Sequence, residues 1–95
     1  MNVETIKNML DPIFKSYNVK KAILFGSYAK GYATDRSDVD IYVESGLHGL
    51  KFFGLLEDVV TALGKDVDLI DERQIKKPSK IMDEIQKYGV VIYGK

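Results

Sequence analysis

The chain has no cysteine and no tryptophan, only two prolines and one histidine, and no surplus of either charge, with Lys+Arg 14 against Asp+Glu 14. Each shortage excludes a chemistry. Without cysteine there is no disulfide, no thiolate metal site and no cysteine nucleophile, a composition that suits a reducing compartment. A formal net charge of zero provides no general positive field to hold a phosphate backbone, so strong nucleic-acid binding is not expected and any such contact has to be local. No stretch approaches the ~20 apolar residues of a membrane span, and residues 1–10 lack a basic segment followed by an apolar run. The expectation is a cytoplasmic chain with no membrane association.

What is present is the composition of an ordinary globular protein, 45% hydrophobic and 29% charged, with enough apolar material to build a core. At this length one domain spanning residues 1–95 is expected, burying somewhat more than ~60% of the surface of the unfolded chain.

Periodicity divides the chain into alternating helices and strands. Val3, Ile6, Met9, Leu10, Ile13, Phe14 and Tyr17 recur at three- and four-residue steps, which predicts an amphipathic helix over 3–17, kinked or split at Pro12. The apolar run 21–25 (KAILF) reads as a buried strand ending at Gly26, followed by a short helix over 27–30 that stops at Gly31. Residues 38–43 alternate strictly, with Val39, Ile41 and Val43 on one face and Asp38, Asp40 and Tyr42 on the other. A helix over 50–63 is predicted from Leu50, Phe53, Leu56, Val60 and Leu63, closed by Gly64. A strand over 66–70 follows, then a polar stretch through Lys77 and Pro78. Ser79 is positioned to cap a helix to Tyr88 with Ile81, Met82 and Ile85 inward, Gly89 stops it, and 90–93 forms a last strand. The fold class predicted is α/β (α+β): a small mixed sheet of about four strands flanked by helices.

The chemistry concentrates in Asp38 and Asp40. Residues two apart on a strand project from one face, and two unit charges ~5 Å apart at an effective dielectric of ~20 repel by roughly 3 kcal/mol. Something must offset that repulsion. Asp68, between Val67 and Leu69 on the next strand, supplies a third acid, and three converging carboxylates suit a hard, oxygen-seeking cation, Mg²⁺ or Mn²⁺. Asp66 lies on the same face as Asp68 and is the alternative third ligand; Asp68 is favoured because it is central in its strand. Gly26, at the end of a buried strand, lets the backbone approach a ligand closely, the amides of the following helix favour an anion such as phosphate, and Ser27 adds a hydroxyl there.

Other phosphate and catalytic motifs fit less well. Gly26 and Gly31 have the spacing of a Walker A loop, but Tyr32-Ala33 stands where Lys followed by Ser or Thr is required. Ser27 lacks the Gly-x-Ser-x-Gly elbow, and His48, without partners for a triad or a zinc site, reads as a surface loop residue. Lys30 and Arg36 are near enough in sequence to meet a triphosphate. Arg73, Lys76, Lys77 and Lys80 form a basic cluster that reads as a solvated segment.

The stretch Leu24-Phe25-Gly26-Ser27-Tyr28-Ala29-Lys30-Gly31, followed by Ser37-Asp38-Val39-Asp40-Ile41, closely resembles the signature of the polymerase β-type nucleotidyltransferase superfamily, and the short length resembles its minimal nucleotidyltransferase branch. The resemblance covers nearly the whole chain. It implies that Gly26 and Ser27 hold the β- and γ-phosphates of ATP, that Asp38 and Asp40 bind two cations, Mg²⁺ or Mn²⁺, and that Asp68 completes the site and helps deprotonate the attacking hydroxyl. It implies further that the acceptor is presented by another molecule, because no residues remain for the helical acceptor domain of larger superfamily members. Minimal nucleotidyltransferases pair with a small HEPN-domain protein, usually an RNase toxin. The implied role is therefore the antitoxin, transferring AMP to a hydroxyl, typically a tyrosine, of that partner. Two other readings stand beside it: a non-catalytic module that neutralises a partner by covering it, and a small-molecule transferase of the aminoglycoside kind, which in so short a chain calls for a homo-oligomer to enclose the acceptor.

Overall fold

The computed structural model describes residues 1–76 and 79–94. Helix α1 (Val3–Ser16) begins at Asn2, whose side chain accepts a hydrogen bond from Thr5 N at 2.8 Å, satisfying one of the free amides of a first helical turn. It buries Ile6, Leu10 and Phe14, one stripe at four-residue steps. Pro12 lies inside a single helix rather than dividing it; its ring is on the exposed side, where water can serve the carbonyl that loses its amide partner.

Strand β1 (Lys21–Phe25) leads directly into α2 (Gly26–Lys30), which ends at Gly31 in the left-handed conformation. Strand β2 (Val39–Glu44) follows, then α3 (Gly49–Leu63), β3 (Val67–Asp71), a 3-10 turn (Glu72–Gln74), α4 (Lys80–Tyr88) and β4 (Val90–Tyr93). Both β2 and β3 begin one residue later than their sequence pattern predicts, so Asp38 stands just ahead of its strand. The basic residue Lys77, and Pro78 with it, lie outside the described residues.

The sheet order is β3-β2-β1-β4. β1 pairs antiparallel with β2 and β4, while β2 and β3 run parallel, making the sheet mixed. α1 and α3 cover one face, where Ile6, Leu10, Phe14, Leu24, Val39, Ile41, Val43, Leu55, Val59 and Leu63 form the main core. α4 lies on the opposite face through a smaller cluster of Phe25, Tyr42 and Ile85.

Two helices differ from their sequence patterns. α3 buries Leu55, Val59 and Leu63, leaving Leu50 88% and Phe53 56% exposed. Its sequence is apolar nearly all round, so periodicity alone admits two stripes; the tertiary partner selects between them. That partner is α1, whose Tyr17 Oη donates to Asp58 Oδ2 at 2.6 Å and packs against Gly54, where a Cβ would stand 3.1 Å from the hydroxyl. On α4, Met82 and Ile85 turn inward, but Ile81 is 41% exposed, being one position off the stripe that faces the small cluster.

Candidate active site

Strand pairing brings the predicted acids together. In the parallel ladder Asp40 is the register partner of Asp68, and side chains at paired positions share a face. In the antiparallel ladder Asp40 is also the partner of Phe25, the last residue before Gly26. Thus a glycine-serine turn, a carboxylate on β2 and a carboxylate on β3 lie in a row across three strands, on the face that carries α4.

Gly26 is glycine for two reasons. Its φ is +73°, a conformation costly for residues with a side chain. A Cβ built there would also land on Asp40 Oδ2, and 3.0 Å from Asp40 Cγ. The backbone of the turn and the carboxylate are therefore in contact distance of each other. Ser27 stands in the first turn of α2, whose N-cap, Phe25, offers its amides no side-chain acceptor.

Among the described residues no cation pairs with the carboxylates of this face. Among the described residues the ion pairs are Lys30–Glu84 and Arg73–Asp71, and neither includes Asp38, Asp40 or Asp68. The consequence appears in Asp40, whose carboxyl is pushed up from 3.8 to about 6, first by burial and then by the charges of Asp68, Asp38 and Glu84. A divalent cation would offset the mutual repulsion of these carboxylates, so the residues present fit a hard cation. Asp40, Asp68 and Asp38 would hold it. Among the described residues no three such side chains are already drawn close enough to hold an ion as they stand.

Asp38 is exposed and is presented by a turn over 34–37, closed by Ser37 N to Thr34 O at 3.0 Å and by Thr34 N to Ser37 Oγ at 2.9 Å. Arg36, in this turn, lines an open pocket of about 570 Å³ with Asp38, Val60, Lys65 and Asp66. Asp66 precedes β3, where its carbonyl accepts from Val39 N at 3.0 Å, and its charge is not among those acting on Asp40. On the other flank Asp68 borders a pocket of about 520 Å³ with Ile70, Ile75, Lys76 and Ile81. Lys30 is turned to α4: its Nζ lies 2.7 Å from Glu84 Oε1 and 4.9 Å from the centre of the Tyr88 ring.

Two acids escape the sequence reading. Glu84 is 54 residues from its partner, a separation no local pattern encodes. Asp71, 3% exposed, accepts from Ser45 Oγ and caps the 3-10 turn reciprocally with Gln74; the Asp-x-x-Gln spacing is a readable capping signal. Beyond it, Arg73 donates to Leu47 O and lies 2.7 Å from His48 Nδ1, and His48 is the exposed loop residue expected.

A mixed sheet that sets a glycine-serine turn opposite carboxylates on neighbouring strands is the arrangement of an enzyme that handles phosphate groups. Comparison with known proteins makes this specific. The family model described as "Polymerase beta, Nucleotidyltransferase" matches residues 8–95. A relative from Methanocaldococcus jannaschii, named "Putative protein adenylyltransferase MJ0435", is 37% identical over 78 residues, covering 79% of this chain and 83% of its own. A solved structure described as a toxin-antitoxin with AMP-PNP aligns with a TM-score of 0.75 at 26% identity, over 94% of this chain and 73% of the other. The complex of a tri-AMPylated Shewanella oneidensis HEPN toxin with its MNT antitoxin aligns at 0.70 and 23% identity, over 98% and 73%, a likeness of fold. The chain belongs to the polymerase beta nucleotidyltransferase family, and it is an enzyme of that class.

Proposed function

We propose that this chain transfers AMP from ATP to a hydroxyl of a partner protein, as the antitoxin of a pair whose toxin is a HEPN-domain protein. The observation that carries the chemistry is the pairing of Asp40 with Asp68 across β2 and β3, under the Gly26 turn. The protein acceptor is supported by the name of the Methanocaldococcus jannaschii relative, and the paired toxin by the toxin-antitoxin likeness. The HEPN identity comes from the family resemblance.

In this reading Gly26 and Ser27 receive the β- and γ-phosphates through backbone amides and the Ser27 hydroxyl. Arg36 meets the triphosphate from the Asp38 side, and Lys30 is a further candidate cation that would have to leave Glu84 to do so. Asp38, Asp40 and Asp68 would hold two divalent cations, Mg²⁺ or Mn²⁺, which would supply positive charge to offset that of the reacting phosphate. Asp68 takes the proton of the acceptor hydroxyl. The hydroxyl oxygen forms a bond to the α-phosphorus in line with the breaking bond to the bridging oxygen, and pyrophosphate carries away the electron pair. The apolar residues flanking Asp68 give the acceptor a surface on that side.

The test takes the protein encoded beside this chain as the candidate partner. Incubated with ATP and Mg²⁺, the wild type should place adenylyl groups on that partner, read by mass spectrometry, and Asp40→Asn should place none. A partner left unmodified by the wild type but still neutralised, by it and by Asp40→Asn alike, would mean that binding alone is the function.

A further inference from the structure

We infer that Glu84 is a positioning residue for the nucleotide: through Lys30 it clasps α2 to α4 and so holds the Gly26–Ser27 turn against the carboxylate face. The clasp follows from geometry; its consequence for ATP rests on the function proposed above. α2 has five residues, too few to be stable without support from outside. Lys30 is its last residue, and the ammonium meets two groups of α4, the Glu84 carboxylate at 2.7 Å and the Tyr88 ring at 4.9 Å. Glu84 and Tyr88 are one turn apart and therefore share a face of α4. Ile85, between them in sequence, turns the other way into Phe25 and Tyr42.

The arrangement makes α4 a bracket. Its apolar side is seated beside the catalytic carboxylate, since Phe25 is the cross-strand partner of Asp40 and Tyr42 is two residues along β2. Its polar side grips the end of the helix that opens with Gly26 and Ser27. The Lys30 and Glu84 side chains are 24% and 34% exposed, so the pair is more shielded than a free surface pair, and the aromatic face adds attraction for the ammonium.

The test compares Glu84→Gln, Lys30→Met and the swapped pair Lys30→Glu with Glu84→Lys, all in the full chain. Three quantities are read: hydrogen exchange at the Gly31 and Tyr32 amides, which both donate to Ser27 O; ATP affinity by calorimetry with Mg²⁺; and kcat on the partner protein. Each single change should speed exchange at those amides and weaken ATP by roughly 2–5-fold, and Glu84→Gln should keep kcat within about twofold. The swapped pair should recover most of both losses. Unchanged exchange in the single variants overturns the clasp. Tighter ATP binding by Glu84→Gln overturns it too, because that is the result of merely removing a negative charge near the triphosphate. If the swap restores exchange but not affinity, Lys30 itself touches the nucleotide and Glu84 has no positioning role. A wild type that binds no ATP, while its variants show the expected amide response, refutes the nucleotide reading and leaves the clasp standing.

Discussion

At the scale of single residues, Asp40 makes folding pH-dependent and, in the function proposed, metal binding with it. With its carboxyl at about 6 in the folded chain against 3.8 otherwise, the folded state holds a proton that the unfolded state has released between those values. Stability of the metal-free protein therefore falls as pH rises through that window, and the penalty is complete above it. Asp40→Asn removes the penalty. At pH 7 in a chelator the variant should be the more stable by on the order of 1 kcal/mol after allowance for solvent screening, or about 4–8 °C in Tm. The difference should shrink toward zero near pH 4, and a calorimetric pH series checks it. A cation must displace the same proton, so Mn²⁺ affinity should weaken by up to about tenfold per unit below pH 6. Gly26→Ala is expected to do the opposite to stability. Positive φ and the contact with Asp40 together should cost roughly 1–3 kcal/mol, and AMP transfer should drop with it.

At the scale of elements, what was legible in the sequence and what was not follows from the range of the interaction that decides each case. The helix-strand order needed only local periodicity and glycine stops. Asp40 and Asp68 could be put on one face because strand alternation is strict, whereas their direct pairing depended on a register that only the folded sheet defines. The α3 stripe was not legible for the same reason: Leu50 and Phe53 have helical spacing as good as that of Leu55 and Val59, and only packing on α1 chooses. Mutation separates the two stripes. Leu55→Ala, at a fully buried site, should cost roughly 2–5 kcal/mol in urea unfolding, while Phe53→Ser, at an exposed one, should stay within about 0.5 kcal/mol. Glu84 belongs to the same lesson, since a contact between α2 and α4 leaves no trace in either segment read alone.

At the scale of the whole molecule, the site is assembled from β1, β2 and β3, so binding there should stabilise the entire fold. With ATP and Mg²⁺ at 100 times the Kd, linkage predicts about 2.7 kcal/mol of added stability. The gain should vanish in Asp40→Asn, which a thermal shift series in both proteins will show. The sheet itself needs no ion, since its two apolar clusters do not involve the acids.

β3 is one of the two edge strands, hydrogen-bonded in the sheet along one side only, and it is the strand that carries Asp68. A slip of a single residue along β2 would exchange the two sides of β3, sending Asp68 toward the α3 side and Leu69 into its place. Such a molecule would keep most of its helices and the β1–β2–β4 core, and would pass for native by most spectroscopic measures while being inert. Registry at the rim of the sheet thus acts as a quality check that foldedness alone does not provide, and on gentle heating enzymatic competence should disappear before the fold does.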